Sequence, residues 1–176
     1  MLAGSGVIVH RTFVYAFRTA WRVAAPQAAV FEVLHASERW PEWWPGLESV
    51  VKLEEGDEDG RDSLGRYVWR AAFRYRVEFE MRVTQVERPH LLEGRASGDL
   101  DGVGSWRLHE EDGATRVAFD WRVSTTRRWM NALAPLARPV FRWNHDRLMD
   151  AGAEGLARRL GVELLSAGSA PVPDPP

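Results

Sequence analysis

The sequence predicts an α+β fold in which one antiparallel sheet packs on a long C-terminal helix, and three observations carry that prediction. Apolar residues alternate with period two along much of the chain. Only two stretches carry helical patterns, a short one near the start and a long one near the end. The chain has 176 residues, a length that suits one domain burying roughly 70% of the surface its unfolded form exposes. A single sheet and a single long helix bury most apolar surface when the helix lies on the concave face.

Taken in order, the first strand alternates at Phe17, Thr19, Trp21 and Val23. Pro26 opens a short helix with Val30, Phe31 and Leu34 on one face. "WPEWWPGL" is too rich in Pro for a long helix and reads as a second short one. Six strands follow. Their apolar positions include Tyr67, Trp69, Ala71 and Phe73, then Tyr75, Val77, Phe79, Met81 and Val83, and finally Val117, Phe119, Trp121 and Val123. The opposite faces carry Arg66, Arg70, Arg76, Glu78, Glu80, Arg82, Asp120 and Arg122, a wet side laddered with cross-strand ion pairs. Asp101-Gly102 and Asp112-Gly113 are hairpin signals, so residues 91–125 are expected to form a three-strand meander. Gly94, Ala96 and Gly98 at its small centre are expected to let Gly152 or Gly155 of the helix come close. That helix runs from about Arg127 to Gly161, with Thr126 as N-cap and a kink or restart at Pro135 or Pro139.

Composition narrows the function classes. There is no Cys, which removes disulfides, thiolate metal sites and Cys nucleophiles together. A formal charge of -2 and a pI near 6.2 leave no basic face for nucleic acid. No apolar run reaches the roughly 18 residues of an integral membrane segment, and the start lacks the pattern of a secretion signal, so the expected location is cytoplasmic. Residues 1–11 read as an N-terminal extension, 12–165 as the domain, and 166–176, "SAGSAPVPDPP", as a disordered tail. His10, His35, His90, His109 and His145 show no metal-ligand spacing. "EEGDEDGRDSLG" does not match a calcium loop and reads as a solvated turn. Neither a metal nor a cofactor is expected.

Three stretches in this order carry a family likeness: "VFEVLHASERWPEWWPGL" after the first strand, "GDLDGVGSWRL" at a hairpin, and a final helix reading "LAPLARPVFRWNHDRLM". Over residues 12–162 the chain resembles the START-like (SRPBCC) superfamily, in particular its polyketide cyclase/dehydrase and lipid-transport branch. The resemblance implies a helix-grip fold, a seven-stranded antiparallel sheet wrapped around the C-terminal helix with an apolar cavity between them. It implies a hydrophobic small molecule as partner. Carriers, receptors and aromatase/cyclases share the fold, so the fold alone does not choose among them.

Candidate site residues follow from helical phase. With Phe141 at the centre of a stripe, His145 and Leu148 fall within about 40° and Asn144 within about 60°. Asn144 and His145 are either core groups bonded to strand backbone or polar anchors in an apolar pocket. Tyr67, Trp69, Tyr75, Trp106 and Trp121 should wall the cavity from the strands. Trp40, Trp43 and Trp44 share one Pro-bounded loop, which is packing, a ligand gate in which Trp43 or Trp44 reports on entry, or a shallow membrane contact.

Two functions compete on these residues. In the first, the protein encloses a lipid, isoprenoid or polyketide-like molecule and Asn144 and His145 fix its polar end. In the second, it is a polyketide cyclase/dehydratase with His145 as general acid/base and Tyr67 and Tyr75 polarising carbonyls. A second convergent titratable group would favour the enzyme, and the pattern shows no inward carboxylate. Binding is therefore preferred. A chaperone-like domain would carry its apolar surface outside, which the charged outer ladder opposes.

Overall fold

The computed structural model describes residues 14–70, 75–126 and 128–171. Strand β1 (Val14–Val23) is followed by helix α1 (Gln27–His35) and a 3-10 helix (Ser37–Glu42). Six strands follow: β2 (Leu47–Glu54), β3 (Leu64–Arg70), β4 (Arg76–Glu87), β5 (Leu91–Gly98), β6 (Leu100–Glu111) and β7 (Ala114–Thr125). The chain closes with α2 (Arg128–Leu160) and β8 (Leu164–Pro171). All pairings are antiparallel, in the order β2-β3-β4-β5-β6-β7-β1-β8. The expected architecture holds, with eight strands in place of seven.

The additional strand corrects the reading of the tail. Leu164–Pro171 pairs with β1, placing Ser169 opposite Thr19 and joining their hydroxyls at 3.1 Å. Low hydrophobicity suggested disorder, but the open edge of β1 supplies backbone partners that need no large side chains. The turn into β8 is built by Gly161 at φ 68: its N–H donates to the Arg158 carbonyl, and that of Val162 to Ala157. This left-handed cap ends α2 and reverses the chain.

Local rules explain most other boundaries. Pro26 takes the extended conformation that precedes a helix, and Val30, Phe31 and Leu34 are buried as expected. Trp40 Nε1 donates to the Leu34 carbonyl at 3.0 Å, covering an α1 end that lacks an intrahelical partner. Buried Gln27 donates to the carbonyls of Pro89 and Leu108 and pins the first turn of α1 to the sheet. Asp112 and Gly113 both have positive φ and make the β6–β7 turn. Asp101-Gly102, in contrast, lies inside β6, and the β5–β6 turn falls at Gly98 and Asp99. The side chain of Asp99 accepts the Glu78 N–H at 3.0 Å, a tertiary bond that local turn chemistry does not reveal.

Helix α2 runs as one element through Pro135 and Pro139, without the expected restart. The Thr126 hydroxyl donates to the Gly98 carbonyl at 2.7 Å, which ties the start of α2 to the end of β5. The outer ladder is as read, with Arg66 on Glu80 at 3.1 Å and Asp120 between Arg18 and Arg107 at 2.8 and 2.9 Å. Ala71 and Phe73 lie outside the described residues.

One packing expectation is overturned. Gly94 and Gly98 pack on β4, where added Cβ atoms would meet Met81 and Phe79. The helix glycines serve the Trp loop instead. A Cβ on Gly152 would lie 2.3 Å from the Trp44 ring, and one on Gly155 would lie 2.0 Å from the Trp43 carbonyl oxygen. Small residues on both sides did not imply contact between them, because each side had a larger neighbour to admit.

Candidate ligand-binding cavity

Between sheet and helix lies a cavity of about 490 Å³, within the usual size range of small-molecule sites. Strands from both ends of the sheet order reach it, since β1 contributes Tyr15 and Phe17 while β2 and β3 contribute Val50, Lys52, Tyr67 and Trp69. Helix α2 supplies Phe141, Asn144, His145, Leu148 and Met149. The wall includes twelve Phe, Tyr and Trp residues.

Of the residues expected at the site, Phe141, Asn144, His145, Leu148, Tyr67, Trp69, Tyr75, Trp106 and Trp121 all border this space. Trp43 does not. It is buried outside the cavity, with its ring 5.3 Å from that of Trp44 and its backbone against Gly155. Trp44 is only 2% exposed, and its Nε1 donates to the Leu148 carbonyl at 2.8 Å. The loop is therefore interior packing that joins the short helices to α2. Neither a flap nor a membrane contact fits three buried indoles.

Aromatic order extends along the wall. Tyr67 stacks on Phe79 with ring centroids 5.7 Å apart and planes 7° apart. Phe79 meets Trp121 at 5.9 Å, and Trp106 stacks on Phe119 at 4.0 Å. Such a surface offers planar faces at which another ring can stack or meet edge-on.

His145 sits at the β1 side of the space, stacked on Phe17 at 4.1 Å. Its Nδ1 reaches Asp146 Oδ1 only at 3.5 Å, and its Nε2 is shut from solvent with no hydrogen-bond partner. Burial holds its pKa below the ordinary histidine value, although Asp146 pulls the other way. The imidazole is neutral near pH 7.

A second polar region lies across the cavity, where the 3-10 helix meets β2 and β3. There the Tyr67 hydroxyl donates to Ser37 Oγ at 2.9 Å, and burial pushes the Tyr67 pKa up to about 12. Lys52, the one Lys beside twenty-two Arg in the chain, pairs with Glu38 and with Glu55. The hydrogen bond it donates to Glu38 raises the Lys52 pKa and keeps it charged. For Glu38, burial acts upward, but the Lys52 hydrogen bond and charge outweigh it and the carboxyl titrates low.

Sequence reasoning missed several of these residues. Glu38, Glu55 and Glu93 border the cavity, where no carboxylate was expected. Ser37 and Glu38 lie in a stretch whose periodicity is too short to phase. Met149, Ala153 and Ala157 are buried on a broader face of α2 than the stripe centred on Phe141. The alanines gave no signal, because small residues carry little pattern. Among the described residues no cluster of metal-ligating side chains is present, and no helix is long and apolar enough to cross a membrane.

Comparison with known proteins agrees with this geometry. The structure is similar to an aromatase/cyclase from Streptomyces sp. R1128, with 19% identity, 85% of this chain and 94% of that chain covered, and a TM-score of 0.69. A protein from Thermus thermophilus superimposes with 19% identity, 82% and 96% coverage and a TM-score of 0.68. A START superfamily protein from Mycobacterium smegmatis does so with 15% identity, 84% and 97% coverage and a TM-score of 0.64. No curated protein matches the chain by sequence. The family model described as polyketide cyclase / dehydrase and lipid transport matches residues 16–161, nearly the whole described fold, and the chain belongs to that family.

Proposed function

We propose that this protein binds a hydrophobic or aromatic small molecule, of lipid, isoprenoid or polyketide type, in the cavity between sheet and α2. The observation that carries the reading is the cavity itself: about 490 Å³ remains open although twelve aromatic side chains border it. A core built only for stability packs to near-crystalline density and leaves no such void. Burying a ring of the ligand recovers the contacts that the open wall forgoes. Asn144 and His145 mark the polar end at β1.

Native mass spectrometry after gentle purification tests the reading, with N-phenyl-1-naphthylamine added to displace any bound molecule. A one-to-one adduct is expected, either of a co-purified small molecule or of the dye. A bare chain at saturating dye would reject it.

One observation favours a second reading, turnover of the bound molecule. A neutral imidazole whose Nε2 has no partner is the form a general base takes. Glu38 does not supply the second catalytic group, because Lys52 already engages it. A His145→Gln protein that converted a candidate polyketide as fast as the parent would eliminate catalysis by His145, since a general base contributes about 10²- to 10⁴-fold.

A further inference from the structure

We propose that Ser37 and Tyr67 form a subsite that donates a hydrogen bond to a neutral carbonyl oxygen of the ligand. The inference rests on the binding reading above and specifies one end of the bound molecule.

The geometry begins with Tyr67. Phe79 stacks on one side of its ring, Trp40 lies 6.0 Å away, and Gly65 leaves room for the phenol tip, since a Cβ there would stand 3.2 Å from Tyr67 Cε2. The phenol is thereby fixed, and its hydroxyl donates to Ser37 Oγ at 2.9 Å. Its raised pKa keeps that proton in place at any physiological pH. Ser37 borders the cavity and has accepted the Tyr67 hydrogen, so its own hydroxyl hydrogen remains to be donated. A hydroxyl that accepts one bond becomes a stronger donor of the next.

Charge at this end selects the kind of acceptor. Among the described residues bordering the cavity Lys52 is the sole Lys or Arg, and both Glu38 and Glu55 engage it. A ligand carboxylate would meet two carboxylates for one ammonium, a net repulsion. A neutral acceptor meets no such opposition. The oxygen of an aromatic ketone, planar with its ring and able to accept from one hydroxyl, matches both the donor and the stacked wall.

The test uses two apolar dyes. 6-Propionyl-2-(dimethylamino)naphthalene carries a ketone, and its emission moves to longer wavelength when that ketone accepts a hydrogen bond. N-phenyl-1-naphthylamine carries no carbonyl. For Ser37→Ala the ratio of the ketone dye's Kd to the other dye's Kd is expected to rise about tenfold, the scale of one hydrogen bond. Emission of the bound ketone dye should move to shorter wavelength. Tyr67→Phe should move both quantities in the same direction by a smaller amount. If both dyes bind the parent and neither the ratio nor the emission changes in either variant, the subsite is overturned while the cavity reading stands. If neither dye binds the parent, the cavity reading fails and the subsite falls with it.

Discussion

At the scale of the residue, His145 separates a binding group from a core group. Its Nε2 is buried without a partner, and an orphaned polar group costs about 1 to 3 kcal/mol. Leu fills a similar space without that cost. His145→Leu should therefore preserve or raise the melting temperature, and a fall of several degrees would mean that the imidazole is bonded in the folded state. The pH dependence has a definite sign. Burial lowers the His145 pKa in the fold, so below the unfolded value of about 6.5 the unfolded chain takes up a proton that the folded one refuses. Stability attributable to this group is complete above about pH 6.5. It declines as pH falls towards the lowered folded value. Melting curves between pH 7 and pH 5 should show a steeper loss in the parent than in His145→Leu; equal slopes would contradict the assignment.

At the scale of the element, α2 and the Trp loop act as one unit. Gly152 and Gly155 admit the Trp44 ring and the Trp43 backbone, and the Trp44–Leu148 bond holds them together. Ala ordinarily favours a helix over Gly by about 1 kcal/mol. Gly155→Ala should nonetheless destabilise by about 1 to 3 kcal/mol, because its Cβ would meet backbone rather than a movable side chain. A thermal melt showing stabilisation would refute the contact. A second prediction concerns β8. Ending the chain after Glu163 should leave the cavity intact but lower the melting temperature, since β1 loses one of its two neighbours. An unchanged melt would mean that β8 contributes nothing. Strand phase was legible where apolar alternation marks one face, as Phe17, Trp69, Phe79 and Trp121 demonstrate at the cavity wall. Three features were not legible. The tail pairs through backbone, Asp101-Gly102 has the chemistry of a turn but lies within a ladder, and the partner of Gly152 comes from a loop over a hundred residues away in sequence.

At the scale of the whole molecule, two chemistries face one cavity. Its outer surface is held by exposed ion pairs such as Arg66–Glu80 and Arg82–Glu54, each of small individual weight. Its interior is an aromatic wall with a neutral imidazole on one side and a hydroxyl pair on the other. The aromatic half of the site could be read from residue type and phase. The Ser37 and Glu38 half could not, because those residues reach the cavity only through the way the 3-10 helix meets β2. Fluorescence titration with N-phenyl-1-naphthylamine tests the central claim directly. The account predicts saturation at one dye per chain, a blue-shifted dye emission, and matching loss of tryptophan emission as Trp106 and Trp121 transfer energy to it. A linear, unsaturable rise with no tryptophan quenching would contradict it.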